Sequence, residues 1–210
     1  MIDSMGFLFS ECLPMNMQQL LHTADSISTW VGKAFAWLIV ALMLMVVVEV
    51  FKRYALNSPT AWIFDASNMM YGTLFMMGGA YTLSRGGHVR GDFLYRLWQP
   101  KTQAKVDLVL YIFFFFPGVI ALVLSGWKYA SRSWGYSEVS INSPAGIPIF
   151  QFKTVMVAAG LLLFIQGIAQ IMRCIHAIRT NEWIKADEDV METEDILIQK
   201  AHEAETGGHV

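Results

Sequence analysis

Few residues in this 210-residue chain are of types that do chemistry in apolar surroundings, and they stand far apart. Glu49 and Asp65 are carboxylates at the edges of long apolar runs, where an acid can mark a proton or ion path. Lys52 and Arg53 follow Glu49 at i+3 and i+4, a spacing that predicts a local Glu49–Arg53 ion pair on one helical face. Asp65 falls near the start of the next run, where a helix dipole favours negative charge. Residues 84–95 read SRGGHVRGDFLY. There Arg85, Gly86, Gly87, His88, Arg90 and Asp92 combine a sharp backbone reversal with charges suited to a partner or to lipid headgroups.

Other chemistries lack their residues. His22, His88, His176, His202 and His209 all lie outside the apolar runs, so no axial pair for a haem between helices is expected, and no cofactor. Cys12 and Cys174 stand 162 positions apart, which excludes a CxxC pair and a Cys-rich zinc site, so no metal is expected. Neither a phosphate-cradling glycine loop nor a nucleophile elbow occurs, and no enzyme is expected.

Composition says where these residues must be held. Hydrophobic residues make up 55% of the chain and charged ones 15%, against roughly 25% charged in soluble domains. A water-soluble domain and a wholly disordered chain are both excluded. With a formal charge of −2 and no dense basic cluster, nucleic acid is not an expected partner. From Asp187 onward there are eight acids and one base, leaving 14 bases and 9 acids in the preceding body.

Four apolar stretches, residues 30–51, 62–83, 108–127 and 154–172, reach the length needed to span a bilayer, about 20 residues of helix. The expected fold is an all-α membrane protein with four transmembrane helices and a short interfacial helix between spans two and three. Residues 1–29 form a cytoplasmic segment, 30–173 the membrane domain and 174–210 a cytoplasmic end with an acidic tail. The side bearing both termini holds nine Lys and Arg near the spans and the opposite loops five, which predicts cytoplasmic termini. Trp62, Trp98 and Trp127 are the expected interfacial anchors.

Local signals refine the elements. Ser58-Pro59 predicts a cap and first turn for span two. Asp92 is placed to cap the interfacial helix, Pro100 to end it and Thr102 to cap span three, in which Pro117-Gly118 predicts a bend. Gly118, Ala121 and Ser125 form one small-residue face in span three, and Gly160 and Gly167 another in span four. Gln166 and Gln170 are expected to hydrogen-bond between helices. Ser143, Pro144, Gly146 and Pro148 predict a structured periplasmic turn.

The ordered set Arg53-Tyr54, Asn57-Ser58-Pro59, Trp62, Asp65, Tyr71-Gly72, Gly78, Ala80-Tyr81-Thr82 and Arg85-Gly86-Gly87-His88-Val89-Arg90 resembles the small membrane subunit (DctQ type) of tripartite ATP-independent periplasmic (TRAP) transporters. The later residues Glu138-Val139-Ser140, Ser143-Pro144-Ala145-Gly146, Phe152-Lys153 and Gln166-Gly167-Ile168-Ala169 are similar to that family as well. The resemblance implies an inner-membrane scaffold that braces a large elevator-type permease subunit for sodium-driven uptake. The solute, an organic acid or similar compound, would come from a periplasmic binding protein. Membrane lipids are the other expected contact. Two other classes remain open from the residues themselves. One is a stand-alone proton-coupled exporter using Glu49, and the other is a membrane anchor for an oxidoreductase.

Overall fold

The computed structural model describes residues 15–86, 98–181 and 183. Helix α1 runs Met15–Ala55, α2 Ile63–Ser84 and α3 Pro100–Leu110. A π-helical turn, Tyr111–Phe115, joins α3 to α4, Phe116–Gly135, and α5 is Phe150–Thr180. Among the described residues there is no strand, only a bridge between Val139 and Pro148 in the α4–α5 turn. Most of the expected interfacial helix lies outside the described residues.

Among the described residues three stretches are long and apolar enough to cross a membrane: Gln19–Ala55, Pro100–Gly135 and Phe150–Thr180. The expected span two is a helix of sufficient length, 22 residues, or about 33 Å, but no stretch of it reaches their hydropathy. It packs against both α1 and α5. Several of its hydroxyls donate back into its own turn, Ser67 to the Ile63 carbonyl at 2.8 Å and Thr82 to that of Gly78 at 3.0 Å.

The main contacts pair α1 with α2, α2 with α5, and α5 with α3 and α4. Helix α5 is therefore central: 39% of its most apolar window is buried, against 6% for each of the other two spans. Close approach is made at glycines. A β-carbon on Gly167 would lie 2.5 Å from the Phe115 ring, and one on Gly160 would lie 2.8 Å from a Val123 methyl. Between α1 and α2, Gly32 stands against Tyr81 in the same way. Helix α1 begins at Met15, well before the expected span, and its 41 residues extend about 60 Å. Its early turns pack on α5 through Leu21, Ala24 and Ala169, with Met172 alongside.

Two local expectations are corrected, and the bend expected at Pro117-Gly118 has a π turn beside it. Ser58-Pro59 does not open α2; the Ser58 amide closes the end of α1 on the Lys52 carbonyl at 3.1 Å, and α2 starts only after Trp62. The connection folds back because Glu49 takes the Thr60 amide. Thr102 does not cap span three, and the interfacial helix that Pro100 was expected to end lies outside the described residues. Instead α3 starts at Pro100, a first-turn position, with Gln99 as the cap and Thr102 inside the helix. Proline is at home there because the first-turn amide has no intrahelical acceptor. The disturbance around Pro117 takes the form of the π turn, in which the Phe116 amide donates to Tyr111. Without an amide at Pro117 the regular ladder cannot continue, and the wider turn absorbs the break.

Candidate functional site

At the end of the bundle where α2 begins, Asp65 is buried, 3% exposed. Ser140 Oγ donates to its Oδ1 at 2.7 Å, and Ser143 Oγ donates to its Oδ2. The turn carrying those serines closes on itself. The Ser140 amide bonds the Ile147 carbonyl at 2.8 Å, and the Ile149 amide bonds the Glu138 carbonyl at 3.1 Å. Gly146 takes a left-handed φ of 59° that a side chain would strain, while Pro144 and Pro148 restrict its flanks. A buried carboxylate needs such donors, and here they tie the α4–α5 turn to the first turn of α2.

Beside it, Lys153 pairs with Glu138, and its ammonium lies 3.8 Å from the Tyr129 ring centroid. The hydrogen bond from Lys153 holds the Glu138 carboxyl below its ordinary value of 4.5. A cavity of about 360 Å³ is lined by residues that include Asp65, Asn68, Tyr129, Glu138, Ser140 and Lys153. At the same end Glu49 accepts from Arg53 at 3.1 Å and from the Thr60 amide at 3.1 and 3.3 Å. Lys52 reaches the Thr60 hydroxyl at 2.7 Å. Glu49 thus ties the last turns of α1 to the connection with α2.

The opposite end carries a second clasp. Asp25 pairs with the buried Arg173 and accepts from Gln166 Nε2 at 2.8 Å, while Ser28 Oγ donates to Gln166 Oε1 at 3.0 Å. Gln170 Nε2 donates to the Leu83 carbonyl at 2.9 Å, joining α5 to the end of α2. Both glutamines thus make the interhelical bonds expected of them. Asn181, left-handed at φ 62°, ends α5 and accepts the Lys101 amide at 3.3 Å.

The sequence-predicted residues fall in separate places. Arg85, at the end of α2, donates to Thr29 Oγ1 at 3.2 Å and lies 5.8 Å from the Tyr81 ring centroid. Gly86 has φ 65°, and Gly87, His88, Arg90 and Asp92 lie outside the described residues. Trp62, Trp98 and Trp127 are all exposed, before α2, before α3 and within α4 respectively. Of the four residues expected to form the turn, Ser143 reaches Asp65.

Sequence reasoning missed Asp25, Ser28 and Arg173 at one end, and the Lys153–Glu138 pair and Ser140 at the other. One signal was present. Leu21, Ala24 and Ser28 recur at helical spacing with Asp25 beside them, a stripe that reads as a packed face continuing into the first span.

The two small-residue faces have opposite fates. Gly160 and Gly167 are filled by side chains of this chain, whereas Gly118, Ala121 and Ser125 face outward from α4 and are exposed. Around them α4 and the preceding turn expose Phe113, Phe114, Leu124 and Trp127. An outward face of this kind suits close approach by another membrane helix.

A search of curated proteins found no match to this chain. A family model described as tripartite ATP-independent periplasmic transporters, DctQ component, matches residues 42–177. That stretch runs from within α1 almost to the end of α5, and so takes in the last turns of α1, all of α2 to α4, most of α5 and the Asp65 clasp. A helical membrane chain matched over most of its length belongs to the DctQ family, the small membrane component of TRAP transporters, and is a transporter component, not an enzyme.

Proposed function

We propose that this chain braces the large permease subunit of a sodium-driven uptake system, which receives an organic acid or similar solute from a periplasmic binding protein. In this reading α2 crosses the bilayer with the other three long helices, both termini are cytoplasmic, and the Asp65-clasped turn is periplasmic. The stretch after Gly86 then forms the cytoplasmic interfacial arm.

The observation that carries the proposal is the outward face of α4 at Gly118, Ala121 and Ser125, beside α5 glycines already filled within the chain. Such a division of surfaces supports a subunit with a rigid interior and one face kept for a neighbour. Glu49 speaks against the exporter alternative, because its carboxylate is engaged by Arg53 and the Thr60 amide at a helix end.

Co-expression with a large TRAP permease subunit tests this. The two should purify in equal amounts, Gly118→Leu/Ala121→Leu should cut recovery of the permease at least severalfold, and uptake should fail without this chain. Transport by the purified chain alone, lost on Glu49→Gln, would overturn the proposal.

A further inference from the structure

The serine clasp satisfies hydrogen bonds of Asp65 but brings no positive charge to it. Its two donors, the Ser140 and Ser143 hydroxyls, are neutral, and among the described residues no Lys, Arg or His pairs with it. A buried carboxylate is costly until a cation answers it. The cavity of about 360 Å³ beside Asp65 is where such a cation can reach it. Of the other charged residues in its wall, Lys153 and Glu138 answer each other. The lining therefore carries one net negative charge, and that charge belongs to Asp65.

Size and wall chemistry select the cation. The volume is that of a small-molecule pocket, well above what a bare metal ion fills. Asn68, one turn after Asp65 on α2, exposes its side-chain amide at the cavity and makes no hydrogen bond to the described residues. Met69, Phe152 and Met156 supply an apolar wall. The cavity already holds one ammonium: that of Lys153 pairs with the Glu138 carboxylate and lies 3.8 Å from the Tyr129 ring centroid. Asp65 and Phe152 offer a second ammonium the same two kinds of partner. Trp62 and Trp134 are exposed at this end of the bundle, which sets the cavity at headgroup depth. We propose that this cavity binds a primary ammonium group, carried by a phospholipid headgroup or by a soluble amine, with Asp65 as its counter-charge and the Asn68 carbonyl as a second acceptor. The site does not depend on the role beside a permease.

Native mass spectrometry of the purified full-length chain tests the site with three probes: phosphatidylethanolamine, its N-acetyl derivative, which lacks the ammonium, and free ethanolamine. An amine probe should be retained at one per chain, and the lipid about tenfold above its N-acetyl derivative, a comparison that needs no variant. Asp65→Asn, which still accepts one serine bond, should lower retention about tenfold, and Asn68→Leu severalfold. Retention of the lipid undisturbed by ethanolamine assigns the ammonium to a headgroup. Saturable binding of ethanolamine in place of the lipid assigns it to a soluble amine, and both results support the site. Retention of neither amine, equal retention of the N-acetyl derivative, or undiminished retention by a folded Asp65→Asn chain would overturn it.

Discussion

Asp65 shows how a charged side chain becomes structural at one end of an apolar bundle. Both carboxylate oxygens are engaged by serine hydroxyls from the same turn, so removal of the carboxylate strands two buried donors. Asp65→Ala should destabilise the chain by about 3 kcal/mol, with Asp65→Asn less damaging because its carbonyl still accepts one bond. Thermal unfolding in mild detergent measures both. Glu138, outside the spans, carries a pH dependence. Its carboxyl is held below the ordinary value of 4.5 by the Lys153 hydrogen bond, so the folded state binds the proton more weakly than the unfolded one. The pair therefore contributes fully above the unfolded value and loses its contribution as pH falls through the lower folded value. Glu138→Gln should flatten that acid limb of the midpoint-against-pH curve. An unchanged limb would remove Glu138 from the explanation.

At the level of elements, glycine position separates folding from association. In α5, Gly167 has the Phe115 ring against it, so Gly167→Leu must push α4 and the π turn outward. The expected cost is about 3 kcal/mol or more, since overpacked contacts commonly lose 1–3 kcal/mol and this one involves a whole ring. In α4, a β-carbon on Gly118 meets nothing within 4 Å. Gly118→Leu should leave the isolated chain's unfolding midpoint almost unchanged while weakening its hold on the large subunit. Measuring midpoint and co-purification on the same two variants checks both statements. Equal losses of stability would place Gly118 in the interior after all. The helices themselves were readable from length and hydropathy, because a bilayer forces long apolar runs into helix. Their joints were less so. Pro100 and Ser58 carry signals compatible with either side of a helix boundary, and the choice was made by contacts distant in sequence, Asn181 with Lys101 and Glu49 with Thr60.

For the whole molecule, the two clasps lie at opposite ends of the long helices, and topology becomes a measurable property. Ile141, on the tip of the α4–α5 turn, is 96% exposed, and Gln19 is exposed near the start of α1. In a chain with Cys12→Ser and Cys174→Ser, Ile141→Cys should react with a membrane-impermeant maleimide in intact cells. Gln19→Cys should react only after permeabilisation. The reverse pattern would invert the proposed orientation, and labelling of both in intact cells would contradict an even number of crossings.

By itself the sequence determined the apolar helices, the membrane setting and the family, because each depends on composition and on an ordered set of residues along the chain. It also placed Glu49 and Arg53 one helical turn apart, close enough to pair within a single helix. The tertiary structure alone decided which small-residue face is filled and which stays open, since spacing is blind to what lies opposite. It alone joined Asp25 to Arg173 and Asp65 to Ser140 and Ser143, partners brought together by helix packing across long stretches of chain. Burial of a charge is a property of its neighbours in space, and those are chosen by the fold.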